Sequence, residues 1–312
     1  MLDIVGKRKL WYLISLVAIV PGLISLLVYD LNLGIDFTGG TVWEFDAARP
    51  VQPSEIRRVL ADNGFPEAVV QIAGEKTVVI RMKELQEGSP VKAAIIEDFT
   101  ALLGSYDANT EQFAAIGPSV GTAIRNRAVI AIGLAAIGVL LYIAFAFRNT
   151  EKPLHYGVCA IIAMVHDIVF VLGVFSILGW VADVQIDALF VTAILTVMGF
   201  SVHDTIVVFD RIRENLARKV APTFEETVNY SIVQTIVRSL NTSITVVLTL
   251  AALFLFGGES TRYFVLALLI GVIAGTYSSI FNASQVLVSW EQGEIQRLFK
   301  WRPWARQRAT AA

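Results

Sequence analysis

Cysteine is almost missing from this sequence, since Cys159 is the only one among 312 residues. One cysteine in an apolar run excludes a disulfide framework and a cysteine-based metal cluster. The sequence also lacks a nucleophile–base pair, a metal-ligand cluster and a Walker phosphate loop. We therefore predict that the chain is not an enzyme, needs no cofactor or metal and performs no ATP-driven chemistry.

Charge is scarce as well, because Asp, Glu, Lys and Arg make up 17% of the chain and apolar residues 55%. Soluble domains carry about 25% charged residues, so this composition predicts a protein embedded in membrane lipid. The net charge of −2 argues neither for nor against nucleic acid, and we expect no nucleic-acid partner. Six apolar segments reach the length of about 20 residues that a helix needs to cross a bilayer. They are 10–29, 128–147, 155–178, 186–209, 236–257 and 263–288.

Lys and Arg are absent from two of the short connections, 179–185 and 258–261. The alternate intervals are basic, as in Lys7–Lys9 and Arg211–Lys219. The positive-inside rule then predicts that both termini face the cytoplasm. The first apolar run is longer than a signal-peptide core and lacks a cleavage site, so we predict an uncleaved first helix.

The one large interval, residues 30–127, falls outside the cytoplasm in this topology. Its pattern predicts strands at 41–47, 69–73, 77–82 and 112–116, helices at 53–63 and 90–103, and a hairpin turn at Gly74–Lys76. The order βαββαβ predicts a small ferredoxin-like α+β domain. The predicted organisation is a cytoplasmic start and first helix (1–29), the extracytoplasmic domain (30–127), transmembrane helices two to six (128–290) and a basic cytoplasmic tail (291–312).

A polar segment, residues 211–238, lies between the fourth and fifth spans. Pro222 interrupts it, and the following Thr223 with Glu226 is typical of a capped helix start. We expect an interfacial helix pair that leads into the fifth span.

Asp204 is the carboxylate that interrupts the fourth apolar span. A charge there costs a few kcal/mol or more, so intramembrane acids are usually functional. Asp204 lies about 27 Å along its helix from the outer end, and Arg238 lies about 28 Å from the outer end of the next helix. We expect the two charges to pair at similar depth, although both could instead be hydrated near the cytoplasmic interface.

The dipeptide His166-Asp167 sits in the third span, about 17 Å into its helix. The tripeptide Val-His-Asp recurs with His203 and Asp204 in the fourth span. Histidine titrates near neutrality and can relay protons, so His166, Asp167 and His203 are candidate relay residues. The alternative is a structural role inside the helix bundle.

Small and polar residues occur at two further places. Ser239, Ser243 and other hydroxyl residues mark the fifth span, and Gly271 and Gly275 mark the sixth, where helix packing is the favoured role and a hydrated path the alternative. After the first span, Gly34, Asp36, Gly39 and Gly40 form a glycine motif without a phosphate-binding lysine. We predict that this motif is a tight connector to the first strand.

Four segments together resemble the SecD/SecF family of membrane subunits of the bacterial and archaeal protein-export machinery. They are LGIDFTGGT at 33–41, MVHDIVFVLG at 164–173, MGFSVHDTIVVFDRIREN at 198–215 and QTIVRSLNTSITV at 234–246. The resemblance implies a six-helix half-unit of the resistance-nodulation-division (RND) architecture in the plasma membrane. It also implies SecD as a partner, the SecYEG channel as a neighbour and secreted preproteins as substrates, with proton flow driving export after ATP-driven entry.

By the same resemblance, Asp204 corresponds to an essential membrane aspartate of the family, Arg238 to its charged partner and Asp167 to a further membrane acid. The family commonly has Asn before the essential Asp, where this chain has His203. The coupling ion is H⁺ or Na⁺, because a carboxylate can serve either. Two alternatives remain open: half of an RND-type small-molecule exporter, and a purely structural assembly subunit.

Overall fold

The computed structural model describes residues 2–73, 76–104, 108–150, 152–258 and 261–294. The chain forms two units. The helical unit comprises Met1–Asn32, Ala131–Val184 and Leu189–Ala312, and the sheet unit comprises Leu33–Ile130 and Gln185–Ala188. The predicted basic tail lies, beyond Glu294, outside the described residues.

The described elements are, in chain order, α1 (Arg8–Tyr29), α2 (Ile35–Thr38), β1 (Gly40–Asp46), α3 (Pro53–Asp62), β2 (Val69–Ala73), β3 (Thr77–Met82), α4 (Pro90–Leu103), a 3₁₀ turn (Ala108–Thr110), β4 (Gln112–Ile116), α5 (Pro118–Ala146), α6 (Pro153–Ala182), α7 (Ala188–Ala217), α8 (Phe224–Phe256), α9 (Arg262–Ser278), a π-helical turn (Ser279–Ala283) and α10 (Ser284–Glu291). Six helical stretches are long and apolar enough to cross a membrane, and α9, the π turn and α10 together form the last of them. The six predicted membrane helices are confirmed.

The sheet unit has the predicted βαββαβ order. Its four antiparallel strands lie in the order β2-β3-β1-β4. Trp43, Phe45 and Phe99 are fully buried in its core, and their rings lie 5.3–6.1 Å apart. Alternate residues of β1 and β3 point into this core, as expected for strands that bury one face. Residues 74 and 75 of the predicted hairpin turn lie outside the described residues.

The polar segment between the fourth and fifth spans differs from its prediction. We expected an interfacial helix pair, but α7 continues without a break to Ala217 and α8 already begins at Phe224. Glu214 pairs with both Arg211 and Arg218, at spacings of three and four residues that stabilise a continuing helix. The predicted cap at Thr223 is confirmed, since its side chain accepts a hydrogen bond from the Glu226 amide.

Glycine brings α1 and α6 into backbone contact in the helical unit. A Cβ atom built on Gly22 would lie 2.7 Å from the Cα of Gly173, and the reverse substitution meets the same distance. One turn away, the hydroxyls of Ser25 and Ser176 lie 2.8 Å apart. Small residues with a polar contact are the usual means of close helix packing in a membrane.

An ion-pair network joins one end of three membrane helices. Arg8 at the start of α1 bonds Glu225 of α8 and Glu294 after α10, at 2.8 and 2.7 Å. The Arg8 guanidinium also holds the pKa of Glu294 below its usual range. The network fixes the Phe224 end of α8 relative to α1 and α10.

Candidate functional site

Asp167 of α6 lies at the centre of the helical unit and is completely buried. Its Oδ2 atom accepts hydrogen bonds from the hydroxyls of Ser201 on α7 and Ser278 on α9, both at 2.6 Å. Its Oδ1 atom lies 3.0 Å from Nδ1 of His166. Three helices therefore supply polar partners to one buried carboxylate, as a buried charge requires.

Close packing of α9 against α7 makes this arrangement possible. A Cβ atom on Gly275 would lie 3.2 Å from Ser201 and 3.6 Å from the Asp167 carboxylate. A Cβ atom on Gly271, one turn earlier, would overlap the side chain of Val197. This agrees with the packing role that we favoured for the two glycines. The π-helical turn begins directly after Ser278, and such turns frequently occur at functional sites.

Asp204 of α7 is buried too, at 2% exposure, but it has far fewer partners. Among the described residues, only the Ser243 hydroxyl donates to it, over 3.4 Å. Thr276 of α9 donates in turn to Ser243 at 2.6 Å. The polar contacts that surround Asp204 therefore come from α8 and α9.

The two carboxylates belong to one polar layer. Ser201, which binds Asp167, precedes Asp204 by three residues and so lies on the same face of α7, about 4.5 Å away along the axis. On α9, Thr276 donates to Ser243, the partner of Asp204, and Ser278 donates to Asp167. Four helices, α6 to α9, thus enclose two acids among hydroxyl groups.

Arg238 does not pair with Asp204 in this structure, which corrects our expectation. No carboxylate of the described residues lies within salt-bridge distance of Arg238, and its side chain is exposed. Ser239 and Ser243 lie on the buried face of α8, whereas Arg238 is rotated by about 100° from Ser239. Asp204 faces Ser243, which lies five residues or about 7.5 Å from Arg238 along α8, so Arg238 differs from Asp204 in position along the helix as well as in the direction it faces.

The two histidines of the repeated tripeptide also differ in the direction that their side chains face. His166 contacts Asp167, and its ring stacks on Tyr277 at a centroid distance of 6.3 Å. Its Nε2 atom is buried and has no hydrogen-bond partner among the described residues. His203, in contrast, lies on the exposed side of α7. Only one of the two histidines therefore faces the polar layer.

A column of hydroxyl residues on α8 was recognised only in part in the sequence, where Ser239 and Ser243 were noted without the other members. Its members recur every fourth residue and are buried: Thr227, Ser231, Thr235, Ser239 and Ser243. The other hydroxyls of the same helix, Thr242, Thr245 and Thr249, are exposed and donate to carbonyls four residues back. Counting polar residues by their spacing of four, rather than as one polar stretch, could have separated these two sets.

The glycine motif after α1 lies in the sheet unit. The Gly34 amide donates to the Ile186 carbonyl at 2.8 Å, and the Asp36 carboxylate accepts from the Ala188 amide at 2.7 Å. Gly39 has φ of 74°, and a Cβ atom there would lie 2.7 Å from Pro118. Gly40 has φ of 127° and likewise favours glycine. The short helix α2, which we did not predict, forms part of this connection.

Two family models and several known proteins are similar to this chain. The family model "Protein export membrane protein SecD/SecF, C-terminal" matches residues 95–293, and the "SecD/SecF GG Motif" model matches residues 24–51. The protein translocase subunit SecF of Thermobaculum terrenum is 52% identical over 96% of this chain and 97% of its own length. The SecDF subunit of Bacillus subtilis is 32% identical over 95% of this chain but 39% of its own length.

A similar fold has been solved by crystallography. The structure of SecDF, a translocon-associated membrane protein from Thermus thermophilus, matches with a TM-score of 0.79 and 32% identity. The match covers 93% of this chain, which spans 39% of that protein. The family resemblance and the fold class predicted from the sequence are confirmed.

Proposed function

Because this chain belongs to the SecD/SecF family of protein-export membrane proteins and has a role in protein translocation, we propose that it is the ion-coupled subunit that drives preprotein export. Its site of coupling is the polar layer around Asp167 and Asp204. The observation that carries the proposal is that the two buried carboxylates of one layer are so unequally compensated. Among the described residues, Asp167 has three close polar partners and Asp204 a single distant one.

Asp204 is the group that exchanges the ion. A buried carboxylate with one donor at 3.4 Å is costly as an anion. Binding of H⁺ or Na⁺ removes that cost and changes the hydrogen bonds that Asp204 makes with α8. The ion thereby shifts the population between two arrangements of the helices. The sheet unit transmits this shift to the preprotein.

Arg238 supports a partner on the exposed face of α8. A cation that faces lipid at membrane depth is expensive. The exposed surface of α8 also carries the apolar residues Val237, Leu240, Ile244 and Leu248. A second membrane subunit that covers this face and supplies a carboxylate would compensate Arg238. We assign SecD to this position, since the Bacillus subtilis relative is a SecDF protein that is longer than this chain.

The distribution of Lys and Arg supports a plasma-membrane orientation with both termini in the cytoplasm. In that orientation the sheet unit works outside the cytoplasm. The chain then acts beside the SecYEG channel, after ATP-driven entry of the preprotein. The three relatives described above are translocase or translocon-associated proteins, so they give no support to the small-molecule exporter alternative.

The test is Asp204→Asn in vesicles that contain the full complex, with ion-gradient-driven completion of export as the readout. We expect a loss of about tenfold or more, which corresponds to about 1.4 kcal/mol of coupling. Asp210→Asn is the matched control, since Asp210 lies on the same helix but is exposed and paired with Arg213. Varying H⁺ and Na⁺ gradients separately identifies the ion.

Full gradient-driven export by Asp204→Asn would refute ion coupling at this site and favour a purely structural subunit. Retained ATP-driven entry in the variant confirms that the channel itself is intact.

A further inference from the structure

The buried hydroxyl column of α8 ends at Asp204 on one side and at a second polar cluster on the other. Ser243 donates to Asp204. Twelve residues earlier, the Ser231 hydroxyl accepts from the side chain of Asn215 at 2.9 Å. Asn215 also donates to Gln234 at 2.9 Å, and Gln234 is exposed at the surface. The column therefore links the buried acid to an exposed group near the Phe224 end of α8.

The two contacts determine how α7 and α8 are aligned. Asp204 faces Ser243 and Asn215 faces Ser231, so the helices run antiparallel with Ser239 opposite Val208. Val208 is fully buried and apolar. Between the two polar clusters, hydrogen-bonding groups are thus supplied by α8, while α7 contributes an apolar wall.

Ser239 is the incomplete position of this column. Its hydroxyl is buried at 1% exposure and has no hydrogen-bond partner among the described residues. Thr235 and Ser231, in contrast, donate to the carbonyls of Ser231 and Thr227. A buried polar group without a partner costs free energy, and internal water is the usual way to satisfy it.

We propose that the column Ser243–Ser239–Thr235–Ser231 is the route by which protons pass between Asp204 and the Phe224 end of α8, with water completing the chain at Ser239. Successive hydroxyls are about 6 Å apart along the helix, which is roughly two hydrogen-bond lengths, so one water can bridge each gap. Each hydroxyl passes one proton on and accepts another, and none changes its net charge. The inference rests on the proposed ion coupling at Asp204 and identifies the coupled ion as H⁺.

Val208 gives the route an apolar wall at Ser239, where water is restricted. Apolar constrictions control conduction by excluding water. A shift of α7 relative to α8 that admits more water at Ser239 would connect Asp204 to the side of the membrane at which the Phe224 end of α8 lies. A change in the protonation of Asp204 alters its contact with Ser243 and would cause the same shift. Opening of the route therefore depends on the protonation state of Asp204.

The test compares Ser239→Val with Ser239→Thr, two side chains of nearly equal size that differ in the hydroxyl. Proton flux is measured with a pH-sensitive dye in vesicles that contain the full complex. We expect Ser239→Val to lower the flux by about tenfold, the factor that corresponds to one lost hydrogen bond of ordinary strength. Ser239→Thr should retain most of it. Thr242→Val, at an exposed position of the same helix, should leave the flux unchanged.

Equal flux in the Val and Thr variants would overturn the route. If Asp204→Asn abolishes flux while both Ser239 variants conduct normally, the hydroxyl column is wrong and ion coupling stands. If Asp204→Asn leaves the flux intact, ion coupling fails and the column fails with it. Should the Ser239 variants not fold, Thr235→Val against Thr235→Ser decides the same question one turn away.

Discussion

The Val-His-Asp tripeptide occurs twice in this chain, and its two copies have opposite surroundings. Asp167 is held by Ser201, Ser278 and His166. Asp204 is almost as deeply buried, but among the described residues it has the single distant donor Ser243. Identical local sequence therefore produces one anchored and one weakly held carboxylate. The difference teaches that neighbouring helices, rather than the motif itself, decide whether a membrane acid is structural or able to exchange an ion.

The largest expected difference between the two acids is in the stability that the protein loses when each carboxylate is removed. Asp167→Ala removes three polar contacts, and membrane hydrogen bonds contribute about 0.6 and at most about 1.7 kcal/mol each, so a loss of roughly 2–3 kcal/mol follows. Asp204→Ala removes one long contact and should cost about 0.6 kcal/mol or less by the same measure. Denaturant unfolding of both variants in detergent compares them. Equal losses would show that the two sites are held alike.

Packing at the Asp167 site gives the next largest effect. Gly275→Ala places a methyl group 3.2 Å from Ser201 and should destabilise the bundle by about 1–3 kcal/mol, as overpacking does. Gly199→Ala on α7 is the matched control, since a Cβ atom there meets nothing within 4 Å. It should be neutral or slightly stabilising. Thermal unfolding of the two variants checks this. An unchanged unfolding temperature in Gly275→Ala would mean that the Asp167 site is not tightly packed.

The serine partners should differ by a smaller amount. Ser278→Ala removes a 2.6 Å bond to Asp167 and should cost about 1 kcal/mol. Ser243→Ala removes a 3.4 Å bond to Asp204 and should cost less than about 0.6 kcal/mol. Double-mutant cycles with Asp167 and Asp204 measure each coupling directly. A stronger coupling at Ser243 would reverse the comparison between the two sites.

The two histidines should give effects of similar size to the serines, with the smallest effect of all at His203. His166→Ala removes the contact with Asp167 and the stacking on Tyr277, at a cost of about 1 kcal/mol. His203→Asn changes an exposed side chain, so its stability should stay within about 0.5 kcal/mol of the wild type. The pH profile of export should also be unchanged. An altered profile in His203→Asn would give this residue a part in the relay after all.

Prediction from the sequence succeeded where regular periodicity carries the information. Strands β2, β3 and β4 and helix α4 have the predicted bounds. The alternation in β1 and β3 is visible because each strand buries one face. Prediction failed for residues 211–238, where a polar composition suggested an interfacial pair. There the ion pairs of Glu214 extend α7 beyond the apolar span, and composition does not reveal that continuity.

The candidate site was predictable in part. Asp167 and Asp204 stand out as carboxylates in apolar helices, and the cost of burying a charge makes them conspicuous. The pairing of Asp204 with Arg238 was wrong for this structure, since Asp204 faces Ser243, five residues from Arg238 on α8, and Arg238 is exposed. The hydroxyl column on α8 was recognised only in part, because buried and exposed hydroxyls alternate within the same segment.

The sequence by itself determined that the chain has six membrane helices, a βαββαβ insertion and two intramembrane acids, because hydrophobic length, strand alternation and the cost of a buried charge are local properties. Only the tertiary structure decided what each acid contacts. Ser201 and Ser278 reach Asp167 from helices that are distant in sequence, and glycine at position 275 lets them approach. The direction in which a side chain faces depends on helix packing, and that is why Asp204, Arg238 and Ser239 acquire their roles only in the folded bundle.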